Sequence, residues 1–240
     1  MRPLTKTGNY ISTRIGRAIA DYKLIEDKDR ILVGVSGGKD SLALVHLLNE
    51  RKKWAPVAYE LIAMHVETDY DCVSADKRRL KRFFKNIGVK CVFEKIKIRE
   101  EERGPSCFWC SWNRRKALFL AAKKLKCNKI ALGHHKDDII ETLLLNILYQ
   151  GEFSAMNPRQ EMFKGKLTII RPLCHVEEAS TRKFAKEMCF PVTTETCPAA
   201  ETSKRRMMKN FIKGAEKGCK DVKTNIFRSM SRINREYLQV

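Results

Sequence analysis

Gly34-Val35-Ser36-Gly37-Gly38-Lys39-Asp40-Ser41 sets glycines, hydroxyls, an ammonium and a carboxylate between an apolar run, Ile31-Leu32-Val33, and an apolar helical pattern, Leu42, Leu44, Val45, Leu47 and Leu48. A glycine turn leading from a strand into a helix gathers backbone N–H groups and a helix N-terminus around one point, which suits a phosphate. The register excludes two common phosphate loops. A Walker A loop has four residues between its glycines before Gly-Lys-Ser/Thr, whereas three separate Gly34 from Gly38 and Asp40 follows Lys39. A Gly-x-Gly-x-x-Gly fingerprint is absent. Ser36, Gly37, Gly38, Lys39, Asp40 and Ser41 are therefore the candidate phosphate-binding residues.

A second chemistry lies in the cysteines. Cys107-Phe108-Trp109-Cys110 opens a long helical pattern, and a helix N-terminus favours thiolates. Such a pair serves as a redox dithiol, as half of a zinc site or as part of an iron–sulfur site. Zinc wants four closed ligands, and no second Cys-x-x-Cys is present. A distant Cys197-Pro198 is present, and Cys-Pro after Cys-x-x-Cys is a pattern of iron–sulfur ligation. Three cysteines on a cubane leave one iron open to a small anion or sulfide. Zinc and a plain dithiol stay open on the residues alone. Cys72, Cys91, Cys127, Cys174, Cys189 and Cys219 are isolated, with Cys174 and Cys189 as fourth-ligand candidates.

A third group is Gly133-His134-His135-Lys136-Asp137-Asp138, again between a strand and a helix. Asp137 and Asp138 suit helix N-capping, or the orientation of Mg²⁺ and polar groups around ATP. Adjacent His134 and His135 point apart, which suits packing and polar contacts better than a shared metal. Arg114 lies four residues beyond Cys110, on the same helix face, where it could meet phosphate or the base.

These groups need a scaffold. The pattern gives strands at 31–36, 59–66, 89–98, 129–134, 167–170 and 191–195, and helices at 41–51, 74–87, 107–125, 137–149 and 177–188. Such alternation predicts an α/β fold, a parallel sheet with helices on both faces. Ligands then sit at the carboxyl ends of the strands, beside the loops after 31–36 and 129–134. Residues 1–28 read as a helical segment through Ile11, Ile15, Ala18, Ile19 and Tyr22, residues 29–200 as the main domain, and 201–240 as basic helices.

Composition narrows the partners. The chain has 240 residues, 48 Lys+Arg against 28 Asp+Glu, and a formal charge of +20, which points to a polyanion, nucleic acid above all. Basic runs at 77–82, 114–116 and 204–206 interleave with Phe83, Phe84, Met207 and Phe211, as in helices with one basic face. A hydrophobic fraction of 43% supports a sizeable core, and no long apolar segment suggests a membrane span. Nine cysteines and a polar N-terminal stretch lead to the expectation of a reducing, cytoplasmic compartment with unpaired or metal-bound thiols.

Ser36-Gly37-Gly38-Lys39-Asp40-Ser41 after a strand resembles the PP-loop of ATP pyrophosphatases. With Cys107-x-x-Cys110, Gly133 to Asp138, Ile170-Arg171-Pro172-Leu173 and Cys197-Pro198 followed by Lys204-Arg205, the chain resembles the TtcA/TtuA family of tRNA-thiolating PP-loop enzymes, the TtcA type most closely. The resemblance spans about residues 10–213 and lacks the extra zinc-binding cysteine pairs of the TtuA type. It implies a Rossmann-like adenine nucleotide alpha hydrolase fold, ATP with Mg²⁺, a [4Fe–4S] cluster on Cys107, Cys110 and Cys197, a tRNA partner, a sulfur donor (sulfide or a cysteine desulfurase system) and a possible homodimer.

The implied reaction replaces the 2-oxo group of a tRNA pyrimidine, a cytidine of the anticodon loop in the TtcA type, by sulfur. The 36–41 loop and Gly133 hold ATP, Lys39 offsets phosphate charge, and Asp40 and Asp137 help to place Mg²⁺ and nucleotide. The catalytic set comprises Cys107, Cys110, Cys197, Arg114 and Asp138. Phe108 and Trp109 are candidates for stacking on the base. Rivals are thiolation of a tRNA uridine, a Cys110 or Cys197 persulfide in place of cluster-held sulfide, an amidoligase, and a non-catalytic RNA-binding module with structural zinc.

Overall fold

A computed structural model of the chain describes residues 3–68, 76–97, 107–193 and 204–237, with the backbone alone for Cys107, Phe108 and Arg235. The chain divides into two compact units, residues 1–135 with 157–197, and residues 136–156 with 198–240.

The first unit opens with α1 (Lys6–Tyr22), whose Ile11, Ile15 and Ala18 are buried at helical spacing. Strand β1 (Asp29–Val35) leads into α2 (Lys39–Arg51), then β2 (Tyr59–Thr68), α3 (Lys77–Ile87) and β3 (Lys90–Ile96). Helix α4 (Cys107–Lys124) and β4 (Lys129–Ala131) follow. The chain returns to this unit with β5 (Arg159–Met162), β6 (Leu167–Ile170) and α6 (Glu178–Glu187); α5 (Lys136–Gln150) belongs to the second unit.

The sheet order is β3-β2-β1-β4-β6-β5, and every neighbouring pair is parallel except β5 with β6. The sheet has helices on both faces, and strand alternation explains how. Leu32, Ile62, Met64, Val66 and Ile130 form one cluster with Ala117, Ala121 and Ala122 of α4. Their neighbours Ile31, Val33, Ala63 and Ala131 are buried on the opposite face, where α2 packs on β1 and against α1 and α6. Parallel strands covered on both sides read as continuous apolar runs, which is why Ile31-Leu32-Val33 shows no alternation.

Two expectations need correction. No apolar alternation marks a strand between 150 and 165, yet Arg159-Gln160-Glu161-Met162 pairs antiparallel with β6 at the sheet edge. An edge strand tolerates polar residues on both faces, so the hydrophobic pattern is silent there. A strand is expected at 191–195, but its described part, 191–193, joins no ladder. Pro191 has no N–H to donate, and the Thr193 N–H goes instead to the Gly37 carbonyl, at 3.0 Å.

The chain leaves β1 towards β2 on one side and reaches β4 on the other. The loops after β1 and β4 therefore diverge at a reversal of strand order, where open α/β sheets bind ligands.

The second unit holds α5, α7 (Lys204–Glu216), α8 (Val222–Ser229) and a short 3-10 turn at 235–237. Helices α7 and α8 are the basic helices expected from the sequence. Among the described residues no helix is long and apolar enough to cross a membrane.

Candidate active site

The 36–41 loop is folded on itself. Gly37 has φ +84°, a region that side chains other than hydrogen rarely adopt. The Gly38 N–H donates to Ser36 Oγ at 3.2 Å, the Ser41 hydroxyl donates to the Gly38 carbonyl at 2.9 Å, and the two serine hydroxyls lie 3.3 Å apart. Helix α2 starts at Lys39, earlier than the pattern of Leu42 onward indicates, because Lys39 and Asp40 form its polar first turn. Gly38 occupies the N-cap and supplies no side-chain cap, so the helix start lacks the internal acceptor that Ser or Asp would provide. That is the arrangement an anion uses.

The loop after β4 presses against this one. A Cβ on Gly133 would lie 2.9 Å from the Ser41 backbone nitrogen and 3.1 Å from the Asp40 carbonyl carbon. Only hydrogen fits there, and the obstacle is backbone that cannot rotate away. Gly133→Ala is expected to cost about 1–3 kcal/mol of stability and to weaken binding of a non-hydrolysable ATP analogue. Thermal melts and titration with the analogue measure both; unchanged affinity would show that the two loops need not touch for the nucleotide to bind.

The charged residues of α2's first turn are held by α6. Lys39 Nζ lies 2.9 Å from Asp40 Oδ2 and 3.1 Å from Glu178 Oε1. The fully buried Thr181 donates its hydroxyl to Asp40 Oδ1. His135 Nε2 lies 3.9 Å from Asp40 Oδ2. Burial works against charge on Lys39, but the Asp40 and Glu178 carboxylates outweigh it and hold the ammonium above its ordinary pKa. Lys39 is thus a fixed cation at neutral pH.

Neighbouring residues brace both loops. His65, buried within β2, is 2.8 Å through Nδ1 from the carbonyl of Val35, the last residue of β1 before the loop. Burial pushes its pKa down, favouring the neutral ring. Arg171, next after β6, reaches His134 Nδ1 at 3.3 Å and Gln160 Oε1 at 3.4 Å, and donates to the Asn157 carbonyl. Burial lowers its pKa to about 10, with the nearby Arg115 cation adding to the effect. Arg171 therefore ties the loop after β4 to the edge strand.

The sulfur-bearing positions are described in part. Cys107 and Cys110 occupy the first turn of α4, three residues apart, the spacing of one helix face. The Cys110 thiol is free and half-buried. The Cys107 side chain and the whole of Cys197 lie outside the described residues, as does Cys72. Among the described residues no three His, Cys, Asp or Glu side chains gather as a metal site. Cys174 is fully buried, which pushes its thiol up to about 12, and Cys189 is exposed. Among the described residues Arg114 reaches Thr68 Oγ1, at 3.5 Å, and its buried Nε has no hydrogen-bond partner. A guanidinium nitrogen left so is ready for an acceptor from a ligand.

In the second unit, Asp137 and Asp138 lie in the first turn of α5, where carboxylates oppose the helix dipole. Asp137 Oδ1 lies 3.0 Å from Lys223 Nζ of α8. Arg205 of α7 approaches Asp138 Oδ1 and Glu141 Oε2, each at 3.8 Å. Burial opposes charge on Lys223, but Asp137 and Glu216 raise its pKa above the ordinary value. These carboxylates anchor the basic helices in this structure, a link the sequence pattern does not signal.

Glu178, Thr181 and His65 are absent from the sequence-based site. Glu178 and Thr181 lie about 140 residues from the loop they hold, and no local motif marks them. His65 sits inside an apolar strand pattern that reads as core.

The residues present fit the phosphates of a nucleotide: glycine at φ +84° in the loop, a position filled by any Cβ at Gly133, and a fixed cation between them in sequence. The donor chemistry of Cys107, Cys110 and Cys197, soft thiolates, fits an iron–sulfur cluster or zinc.

The model of the PP-loop domain family matches residues 9–214. Curated relatives include a tRNA-cytidine(32) 2-sulfurtransferase of Geobacter sulfurreducens, 40% identical over 234 residues, 95% of this chain and 91% of that protein. A second, of the same name, from Geotalea uraniireducens is 39% identical over 95% of this chain and 93% of its own length. Among solved structures, the U34-tRNA thiolase NcsA of Methanococcus maripaludis with its [4Fe–4S] cluster superposes with a TM-score of 0.77 at 22% identity, covering 97% of this chain and 80% of that one, a likeness of fold.

Proposed function

We propose that this chain, which belongs to the PP-loop family, is an ATP-dependent tRNA 2-sulfurtransferase that acts on a cytidine of the anticodon loop, position 32 in the names of its relatives. The observation that carries the reading is the self-bonded loop 36–41, its cation fixed and Gly133 packed on it, in a chain that also carries Cys107-x-x-Cys110 and Cys197.

The loop and the start of α2 hold the β- and γ-phosphates of ATP through backbone N–H groups, with Lys39 offsetting their charge. A phosphate arriving there competes with Glu178 for Lys39. Asp40, kept in place by Thr181, directs its carboxylate for Mg²⁺. The unpartnered Arg114 Nε offers a donor to the α-phosphate or the base. The cytidine O2 attacks the α-phosphorus, pyrophosphate leaves, and C2 now carries AMP in place of a poor leaving oxygen. A [4Fe–4S] cluster on Cys107, Cys110 and Cys197 supplies the sulfur nucleophile when bound. The donor of that sulfur is sulfide or a cysteine desulfurase system.

Asp138 is assigned to adenylation. Asp138→Ala is expected to lose tRNA-dependent pyrophosphate release while keeping its iron; an active variant would restrict Asp138 to its contact with Arg205. The reading as a whole is tested by pyrophosphate release from protein purified without oxygen. Release is expected only with ATP and tRNA together. Its absence with every tRNA tried would favour a non-catalytic RNA-binding module.

A further inference from the structure

A cleft of about 480 Å³ in the first unit, between α3 and the segment after α6, is lined by none of the residues that hold the 36–41 loop. Its floor is His46 of α2, 3% exposed, with neither ring nitrogen hydrogen-bonded. The rings of Phe184 and Phe190 flank it at 5.9 Å and 5.5 Å. Burial lowers the His46 pKa, so the ring is a neutral imidazole with one donor and one acceptor. Buried polar groups are almost always paired, and an apolar residue would fill this helix position without that need.

The cleft's walls are aromatic and cationic. Phe83 and Phe190 stand edge to face at 5.4 Å, and Arg79 and Arg82 project from α3 at the rim. Helix α3 carries Lys77, Arg78, Arg79, Lys81, Arg82 and Lys85 with no acidic residue in its 11 positions. Arg79 has one loose contact, 3.8 Å to Asp76, and Arg82 has no ion pair among the described residues. Flat apolar walls, an unpaired hydrogen-bonding edge below and guanidinium groups above match a base with its phosphate. The charge of the helix matches a polyanionic strand better than a free small molecule.

We propose that this cleft takes one unpaired nucleotide of the RNA substrate, its phosphate on Arg79 and Arg82, its base against Phe83 and Phe190, and its edge at His46. The proposal rests on the tRNA reading above and adds a second place where the RNA is held, apart from the reacting base.

The test compares tRNA binding to the full chain and to three variants across a salt series. Arg79→Glu with Arg82→Glu is expected to weaken binding about tenfold or more and to lower the slope of log K against log salt by about 2. Arg78→Glu with Lys85→Glu makes the same charge change on the same helix, away from the cleft lining, and is expected to do markedly less. His46→Phe is expected to lose about fivefold, the worth of one hydrogen bond, with the salt slope unchanged. Affinity for an ATP analogue and thermal melts establish that each variant is folded. Equal losses from the two charge-reversal pairs, or wild-type tRNA binding by His46→Phe, would overturn the proposal. Saturation of the cleft by free AMP that leaves tRNA binding unchanged would also overturn it, assigning the site to a free nucleotide. Pyrophosphate release by the wild type is read in parallel: its failure would strike the enzymatic reading, whereas the binding comparison speaks to the cleft.

Discussion

Lys39→Met is expected to slow tRNA-dependent pyrophosphate release by about 10²–10³-fold, the usual effect of removing one preorganised electrostatic contact to a developing charge. The size follows from how the ammonium is held. Two carboxylates, Asp40 and Glu178, fix it at 2.9 Å and 3.1 Å and keep it charged. An incoming triphosphate therefore meets a cation already in place, and little is spent on ordering a long side chain. Methionine keeps the length of the stem and removes the charge, leaving Asp40 and Glu178 without the cation between them. Some loss of melting temperature is expected with it. Lys39→Arg separates the two effects, since it restores the charge with a different shape. Steady-state pyrophosphate assays on the pair check this; a Lys39→Met rate within tenfold of wild type would remove Lys39 from phosphate binding.

The second large effect concerns sulfur. Cys197→Ala is expected to abolish both bound iron and tRNA thiolation while leaving affinity for an ATP analogue unchanged. Three thiolates are the assigned ligands, and a cubane that loses one of three protein ligands is not retained. The loop proposed for the nucleotide, Ser36 to Ser41, is held by Gly133, Glu178 and Thr181, and none of these is a cysteine. Iron and acid-labile sulfide content on anaerobically purified protein, with zinc measured beside them, is the check. Iron retained at wild-type levels would take Cys197 out of the ligand set. Zinc without iron in the wild type would move the chemistry to a persulfide or to a structural metal.

Much of the fold is legible because parallel strands and the helices covering them write strong apolar patterns. Ile31 to Val35 and Leu42 to Leu48 announce strand and helix, and the glycines between them announce the turn. What the pattern misses is polar or remote. Strand β5 escapes because Arg159-Gln160-Glu161 sits at a sheet edge with no face to bury. The segment after Pro191 begins with β-branched Val192 and Thr193, which suit a strand, but spends the Thr193 N–H on the Gly37 carbonyl rather than on a ladder. At the site, the glycine loop declares itself through its own residues. Glu178 and Thr181 do not, because their partners Lys39 and Asp40 come from the far side of the chain and nothing local distinguishes a helix-surface Glu or Thr that faces a loop from one that faces water. His46 is hidden for the opposite reason: it occupies an apolar helix position among Leu44, Val45 and Leu47, and only the structure reveals that its nitrogens have no partner.

The central claim is that this chain exchanges oxygen for sulfur on a tRNA cytidine at the expense of ATP. The most direct measurement is nucleoside mass spectrometry of an unmodified tRNA incubated with anaerobically purified, iron-loaded protein, ATP, Mg²⁺ and sulfide. The account predicts 2-thiocytidine that maps to the anticodon loop, disappears when ATP is omitted and forms far more slowly with Lys39→Met. Thiolated uridine in its place, or no thiolated nucleoside from protein that carries its iron and binds tRNA, would contradict it.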